Sequence, residues 1–183
     1  KQQLTEHGAL ASIQSVVASI EQNKLIAKYQ SNQQSNSPIN NAFCQQAAMA
    51  IYWHFNVANK APVKVQMEYI LKQASALQEC FAAVVCGSQL PSSKPFLQIF
   101  LEKGFYTAYV VAAFDNHKDF FGDPSKLIDL VDLKSWPIAS RQTARSLASR
   151  SSSFDFKQEV AEKLHDDPEA SVRRGGQVAM RQY

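Results

Sequence analysis

Cys44 and His54 are the residues of this sequence whose types most directly suggest catalysis. A cysteine next to a histidine can act as a nucleophile, because the imidazole accepts the proton of the thiol. The spacing of these two residues along the chain does not bring them together by itself, and both lie in an apolar stretch with helical spacing. We therefore interpret Cys44 as an ordinary buried thiol and His54 as a packed or half-exposed histidine.

Two further groups of residues have the types that bind metals. Cys80 and Cys86 have five residues between them, whereas structural zinc pairs usually have about two to four. Asp115, His117 and Asp119 lie in the sequence DNHKD, which suits either a small metal site or a solvated loop, and we favour the loop. We expect all the cysteines to be buried thiols, and we expect no metal and no cofactor.

No motif of a common enzyme class is present. The sequence lacks a phosphate-binding loop, a dinucleotide-binding glycine pattern, a nucleophile elbow, a zinc-protease helix motif and an EF-hand loop. We therefore predict that the protein is not an enzyme.

Arginine is confined to the C-terminal part of the chain. All six arginines lie at residue 141 or later. Arginine offers a planar head with several donors, which lysine does not. We therefore predict a candidate interaction surface in this region, formed by five of these arginines and one aromatic residue: Arg141, Arg145, Arg150, Arg173, Arg174 and Trp136.

The segment 141–153 (RQTARSLASRSSS) allows two interpretations. One is a face that contacts anions or nucleic acid, with a phosphorylation target at Ser151–Ser153. The other, which we favour, is a surface helix that its arginines keep soluble, followed by a loop. The formal net charge of +3 is too small to indicate a nucleic-acid-binding protein. No aromatic residue interrupts the segment, so base stacking is not indicated.

The elements that position these residues are predicted to be α-helices. Hydrophobic residues recur with a period near 3.6, prolines with capping residues precede several apolar runs, and glycines follow others. The stretch 105–111 is aromatic and β-branched, which suits a buried strand, but its helical spacing favours a helix. We predict an all-α fold of seven to nine helices, with helices over 8–28, 42–57, 63–85, 96–101, 105–114, 125–133, 138–149, 156–164 and 169–180.

The stretch EVAEKLHDDPEASVRRGGQVAM resembles one HEAT-like helical repeat. In such repeats the second helix opens with D-P-x-x-x-V-R, and the matching residues are Asp167, Pro168, Val172 and Arg173. The resemblance implies that Asp167 caps this helix, Pro168 begins it, Val172 enters the core and Arg173 reaches the neighbouring turn. Gly175-Gly176 departs from the pattern. We predict an N-terminal helical bundle over 1–136 and a HEAT-like helical segment over 137–183.

These features predict a non-enzymatic adaptor or scaffold, part of a larger complex, that docks other proteins on helical surfaces. The alternative is a nucleic-acid-associated helical protein of the coat or nucleocapsid type, whose C-terminal arginines bind phosphates. Aromatic residues such as Trp53 and Trp136 suit protein contacts, although most aromatics pack in cores. No apolar stretch reaches the ~18 residues of a membrane span. The odd number of cysteines argues against a secreted disulfide scaffold, so we expect a cytoplasmic location.

Overall fold

The computed structural model describes residues 38–174. Within that range the regular structure is helical and contains no strand, which confirms the all-α fold class. None of the helices in this part of the chain has the length and continuous hydrophobicity that crossing a bilayer requires. The helix predicted over 8–28 and the pair Gly175-Gly176 lie outside the described residues.

The chain divides into two compact units, the first ending at Val85 and the second beginning at Cys86. In the first unit, helix α1 (Pro38–Trp53) continues into a π-helical turn (His54–Ala58), and α2 (Val63–Leu71) and α3 (Ser75–Gly87) follow. Apolar residues spaced along these helices form its core, including Ile51, Met67, Ile70, Leu77 and Phe81.

The prediction of one helix over 63–85 is wrong, because the chain breaks between α2 and α3. At the break, Gln78 Nε2 donates hydrogen bonds to the carbonyl oxygens of Leu71 (3.2 Å) and Gln73 (2.9 Å). These bonds satisfy carbonyl groups that the end of a helix leaves without partners. The apolar residues continue in phase across the break, so their spacing alone does not reveal it.

The second unit contains six α-helices between residues 94 and 164, with short 3₁₀ turns between some of them. The elements are a 3₁₀ turn (Pro91–Ser93), α4 (Lys94–Lys103), α5 (Thr107–Asn116), α6 (Lys118–Phe121), α7 (Pro124–Leu127), a second 3₁₀ turn (Leu133–Ser135), α8 (Ile138–Arg150) and α9 (Phe154–Leu164). The chain is helical again over 170–174. Helix α8 packs against α4, α5, α7 and α9.

The stretch 105–111 is helical from Thr107 onward, as its apolar spacing predicted, and not a strand. Helix α4 ends at Gly104, whose φ of 66° is left-handed, and the N–H of Phe105 bonds the carbonyl of Phe100 (2.8 Å). A Cβ at Gly104 would lie 3.1 Å from side-chain atoms of Pro137. Glycine is therefore suited to this position both by backbone conformation and by the close approach of Pro137.

The division between the two units differs from the predicted boundary at residue 136. Helix α8 follows that boundary, yet it buries Ala144 and Leu147 completely and packs on helices that precede the boundary. The described residues after 136 are therefore part of the second unit, together with α4 to α7.

Candidate functional site

Arg141, one of the predicted surface residues, forms a buried ion pair in the second unit. Its Nε lies 2.8 Å from Asp167 Oδ2, and the two side chains are only 12% and 4% exposed. The Arg141 guanidinium also donates to the carbonyl oxygen of Trp136. Arg141 therefore ties the turn after α9 to the start of α8, and little of its side chain is left to contact a partner.

Asp167 organises the turn between α9 and the helical residues 170–174. Its Oδ1 accepts a hydrogen bond from the N–H of Glu169 (2.9 Å). Its carbonyl oxygen accepts a bond from the guanidinium of Arg173. Val172 is fully buried. The burial of Val172 and the reach of Arg173 to the preceding turn are the contacts that the sequence pattern implied. The helix itself begins at residue 170, so the implied start at Pro168 with Asp167 as its cap is wrong: Pro168 lies in a bend, and Asp167 binds the N–H of Glu169 within the turn before the helix.

Arg145 also uses its guanidinium inside the protein. Its Nε donates to the carbonyl oxygen of Val172 (2.7 Å), and Nη2 donates to that of Leu164 (2.9 Å). Burial lowers the pKa of Arg145, and the nearby Asp167 carboxylate partly offsets this effect. Arg145 thus binds the end of α9 and the following helical segment to α8.

Arg150 and Arg174 are the predicted arginines that are exposed to solvent. Arg150 Nε donates to Asp115 Oδ1 (2.6 Å), an ion pair with both side chains more than a third exposed. The hydrogen bond from Arg150 lowers the pKa of Asp115. Arg174 Nε makes a long bond (3.3 Å) to the carbonyl of Ala170.

Trp136 lies in the core of the second unit and is only 2% exposed. A partner therefore has almost no access to its ring. The structure brings Arg141, Arg145 and Arg173 together around the turn after α9, while Arg150 bonds to α5. The prediction that these residues form an interaction surface stays a prediction, but their contacts are largely internal.

The serines after α8 are bound to one carboxylate. Asp123 Oδ1 accepts from the Ser151 hydroxyl (2.6 Å), and Oδ2 accepts from the N–H (2.7 Å) and hydroxyl (2.9 Å) of Ser152. Ser153 caps α9 through the N–H of Phe156. Partial burial raises the pKa of Asp123, but these bonds and those from Ser125 outweigh it and hold the pKa well below its usual range. Phosphorylation at Ser151 would require this buried contact to open.

The structure supports neither the nucleophile pair nor the metal sites that the sequence suggested. Cys44 and His54 are ten residues apart on one continuous helical segment, a rise of roughly 15 Å. His117 Nδ1 lies 3.1 Å from Gln89 Nε2, on a polar cleft of about 340 Å³. Within residues 38–174, no three His, Cys, Asp or Glu side chains are placed to hold a metal ion.

The first unit carries a row of exposed apolar side chains, of which the sequence analysis predicted one. Met49, Trp53 and Val57 follow one another at four-residue intervals and are 59%, 58% and 43% exposed. Side chains at this spacing lie along one side of a helix. We call these three residues the apolar stripe. Trp53 was considered as an exposed aromatic; Met49 and Val57 were not.

The helix that bears the apolar stripe contains no charged residue. Its sequence is PINNAFCQQAAMAIYW, and the other exposed positions from residue 42 onward are alanine and glutamine. A helix on the surface of a globular protein usually directs charged residues to solvent. The absence of charge along α1 is the signal in the sequence from which the apolar stripe could have been found.

Comparison of the chain with protein-family models, with curated proteins and with solved structures found no match.

Proposed function

We propose that this protein is a non-enzymatic adaptor or scaffold, a subunit of a larger complex that docks another protein on the apolar stripe. The observation that carries the proposal is the exposure of Met49, Trp53 and Val57 along an uncharged helix. The proposal includes a cytoplasmic location, for which the odd number of cysteines is the support.

The chemistry of the apolar stripe suits a protein partner. Tryptophan is enriched among the residues that contribute most to binding energy, and methionine adapts its shape to different apolar surfaces. Covering these side chains removes apolar area from water, which contributes roughly 25 cal/mol per Å². Because α1 carries no charge, a partner covers it without desolvating an ion on this helix.

The C-terminal segment supports the same class of function. The buried Val172 and the bond from Arg173 to the preceding turn are the contacts that the resemblance of this segment to a HEAT-like repeat implied. We include in the proposal that residues 137–183 belong to a helical-repeat arrangement.

Nucleic-acid binding by the C-terminal arginines is the alternative, and it has less support. Arg141, Arg145 and Arg173 donate to a carboxylate or to carbonyl oxygens of their own chain. Phosphate binding would need those donors to be available at the surface. Only Arg150 and Arg174 of the predicted set are exposed, and Arg150 pairs with Asp115.

The experiment that tests the proposal compares two exposed apolar residues. Trp53→Glu places a charge in the apolar stripe, and Phe154→Glu places one at a 74% exposed position of the second unit. Tagged proteins are used to isolate complexes from nuclease-treated native extract. We expect the partner to be retained by wild type and Phe154→Glu and lost from Trp53→Glu, because loss of a hot-spot residue weakens binding about 30-fold or more. Equal retention by both variants would contradict docking on the stripe.

A further inference from the structure

The inner side of α1 brings a second cysteine-bearing helix close to Cys44. Cys44, Ala48 and Tyr52 follow one another at four-residue intervals and are all buried. The Tyr52 ring packs edge-on against Phe81 of α3, with 6.1 Å between the ring centroids. Cys80 precedes Phe81, and its thiol is within hydrogen-bonding contact of the Cys44 thiol. Two thiols from different helices therefore meet in the first unit.

We propose that Cys44 and Cys80 are a disulfide-forming pair, which a low-molecular-weight disulfide such as oxidised glutathione converts into a covalent link between α1 and α3. The proposal is independent of the docking function, because it concerns a different, buried part of the helix surface and thiol chemistry alone.

The reaction proceeds by two thiol exchanges. The Cys80 thiolate attacks one sulfur of the small disulfide, so that a mixed disulfide forms on Cys80 and one small thiolate leaves. The Cys44 thiolate then attacks Cys80 Sγ, the Cys44–Cys80 bond forms, and the second small thiolate leaves. The two protons lost by the cysteines end on the two released thiols. The protein is oxidised by two electrons, and the small disulfide is reduced by two.

The difference in exposure between the two thiols determines which of them reacts first with the small disulfide. Cys80 is half-buried, so a small disulfide can reach it, whereas Cys44 is only 3% exposed. Once the mixed disulfide is on Cys80, the attacking Cys44 thiol is already in contact with it. The second step is therefore intramolecular and needs little rearrangement.

The reaction is expected to be slow at neutral pH. Burial, then the Cys44 thiol and Glu79, raise the pKa of Cys80 to about 11. The thiolate is the attacking species, and little of it is present near pH 7. The two cysteines should therefore form a disulfide only under sustained oxidising conditions, and they are not expected to respond to a brief oxidation.

Cys86 provides the matched control. It lies six residues after Cys80 on α3 and is 3% exposed. Six residues of helix correspond to a rise of roughly 9 Å, beyond the ~7 Å limit on the Cα separation of a disulfide. Cys86 is therefore not expected to pair with Cys80.

The test treats the native protein with oxidised glutathione and follows thiol content and disulfide-linked peptides by mass spectrometry. We expect wild type and Cys86→Ser to lose two thiols and to give a Cys44–Cys80 peptide without retained glutathione. Cys44→Ser should stop at a glutathione adduct on Cys80, and Cys80→Ser should react least. The same reaction in guanidinium should give mixed pairings, because the native fold no longer selects the partner.

Three outcomes would overturn the proposal. They are a stable glutathione adduct on Cys80 of the wild-type protein, a linkage that involves Cys86, and an unchanged thiol content after prolonged treatment of the folded protein. Circular dichroism of each serine variant shows whether it is folded, and the wild-type and Cys86→Ser measurements decide the question even if another variant does not fold.

Discussion

Arg141 and Asp167 form an ion pair that is almost completely buried, with 2.8 Å between Nε and Oδ2. Removing one member of a buried pair leaves the other charge without compensation, which costs far more than losing an exposed pair. The contact joins α8 to the turn that precedes the helical residues 170–174. It ties the described residues after α9 to the rest of the second unit.

Asp167→Ala is predicted to lower the free energy of unfolding by about 3 kcal/mol or more, because Arg141 stays buried without its partner and the N–H of Glu169 loses its hydrogen-bond acceptor. Urea denaturation followed by circular dichroism measures the change. Arg174→Ala is the control, since its side chain is exposed, and it should change stability by less than about 0.5 kcal/mol. Similar effects of the two substitutions would contradict this role of Asp167.

Asp123→Asn is predicted to lower stability by about 2 kcal/mol at pH 7, because it weakens hydrogen bonds to a charged carboxylate. The pKa of Asp123 is held below its ordinary value. Its charge-linked stabilisation is therefore complete above about pH 5 and is lost as the pH falls through the folded-state pKa. The difference in the free energy of unfolding between wild type and Asp123→Asn should therefore become smaller below about pH 4.

The measurement for Asp123 is the urea midpoint from pH 7 to pH 3, with Asp132→Asn, a change at an exposed aspartate, as the control. A gap between wild type and Asp123→Asn that does not depend on pH would show that the charge of Asp123 is not what stabilises the serine segment.

Gln78→Ala is predicted to cost about 1 kcal/mol, because it removes the donor that satisfies the carbonyls of Leu71 and Gln73 between α2 and α3. Gln158→Ala removes an exposed side-chain bond to Glu162 and should cost less than about 0.5 kcal/mol. Thermal or urea unfolding of both variants makes the comparison. If Gln78→Ala is as stable as the control, water satisfies these carbonyls equally well.

The formation of the Cys44–Cys80 disulfide is predicted to accelerate with pH. The pKa of Cys80 is raised to about 11, so the thiolate fraction, and with it the rate, should rise about tenfold per pH unit between roughly pH 7 and pH 10. The rate of disulfide formation is measured by quenching samples at timed intervals with a thiol-blocking reagent. A rate that levels off near pH 9 would mean that the attacking thiol has its ordinary pKa.

Local sequence signals predicted much of the second unit. The helices over 138–150 and 154–164 lie within a few residues of their predicted bounds. These features depend on neighbouring residues, so a single sequence contains the information. The break between α2 and α3 was missed because it depends on a side chain, Gln78, that bonds back to carbonyls without disturbing the apolar spacing.

The contacts of the arginines could not be predicted from the sequence. Arg145 bonds to the carbonyls of Leu164 and Val172, which are distant in the chain. Spacing along a helix shows that arginines share a face, but not whether that face meets solvent or another segment of the protein. The burial of Trp136 has the same origin, because its place in the core is set by tertiary packing.

Site-directed photo-cross-linking tests the central claim most directly. A photoreactive residue is placed at position 50, where Ala50 is exposed on α1 next to the apolar stripe, so the stripe itself is unchanged. The control carries the same residue at position 157, where Lys157 is exposed on α9. After irradiation in nuclease-treated native extract, docking on the stripe predicts a discrete cross-linked protein from position 50, absent from position 157 and lost when Trp53→Glu is added. Identical products from both positions, or none from position 50, would contradict a docking function for α1.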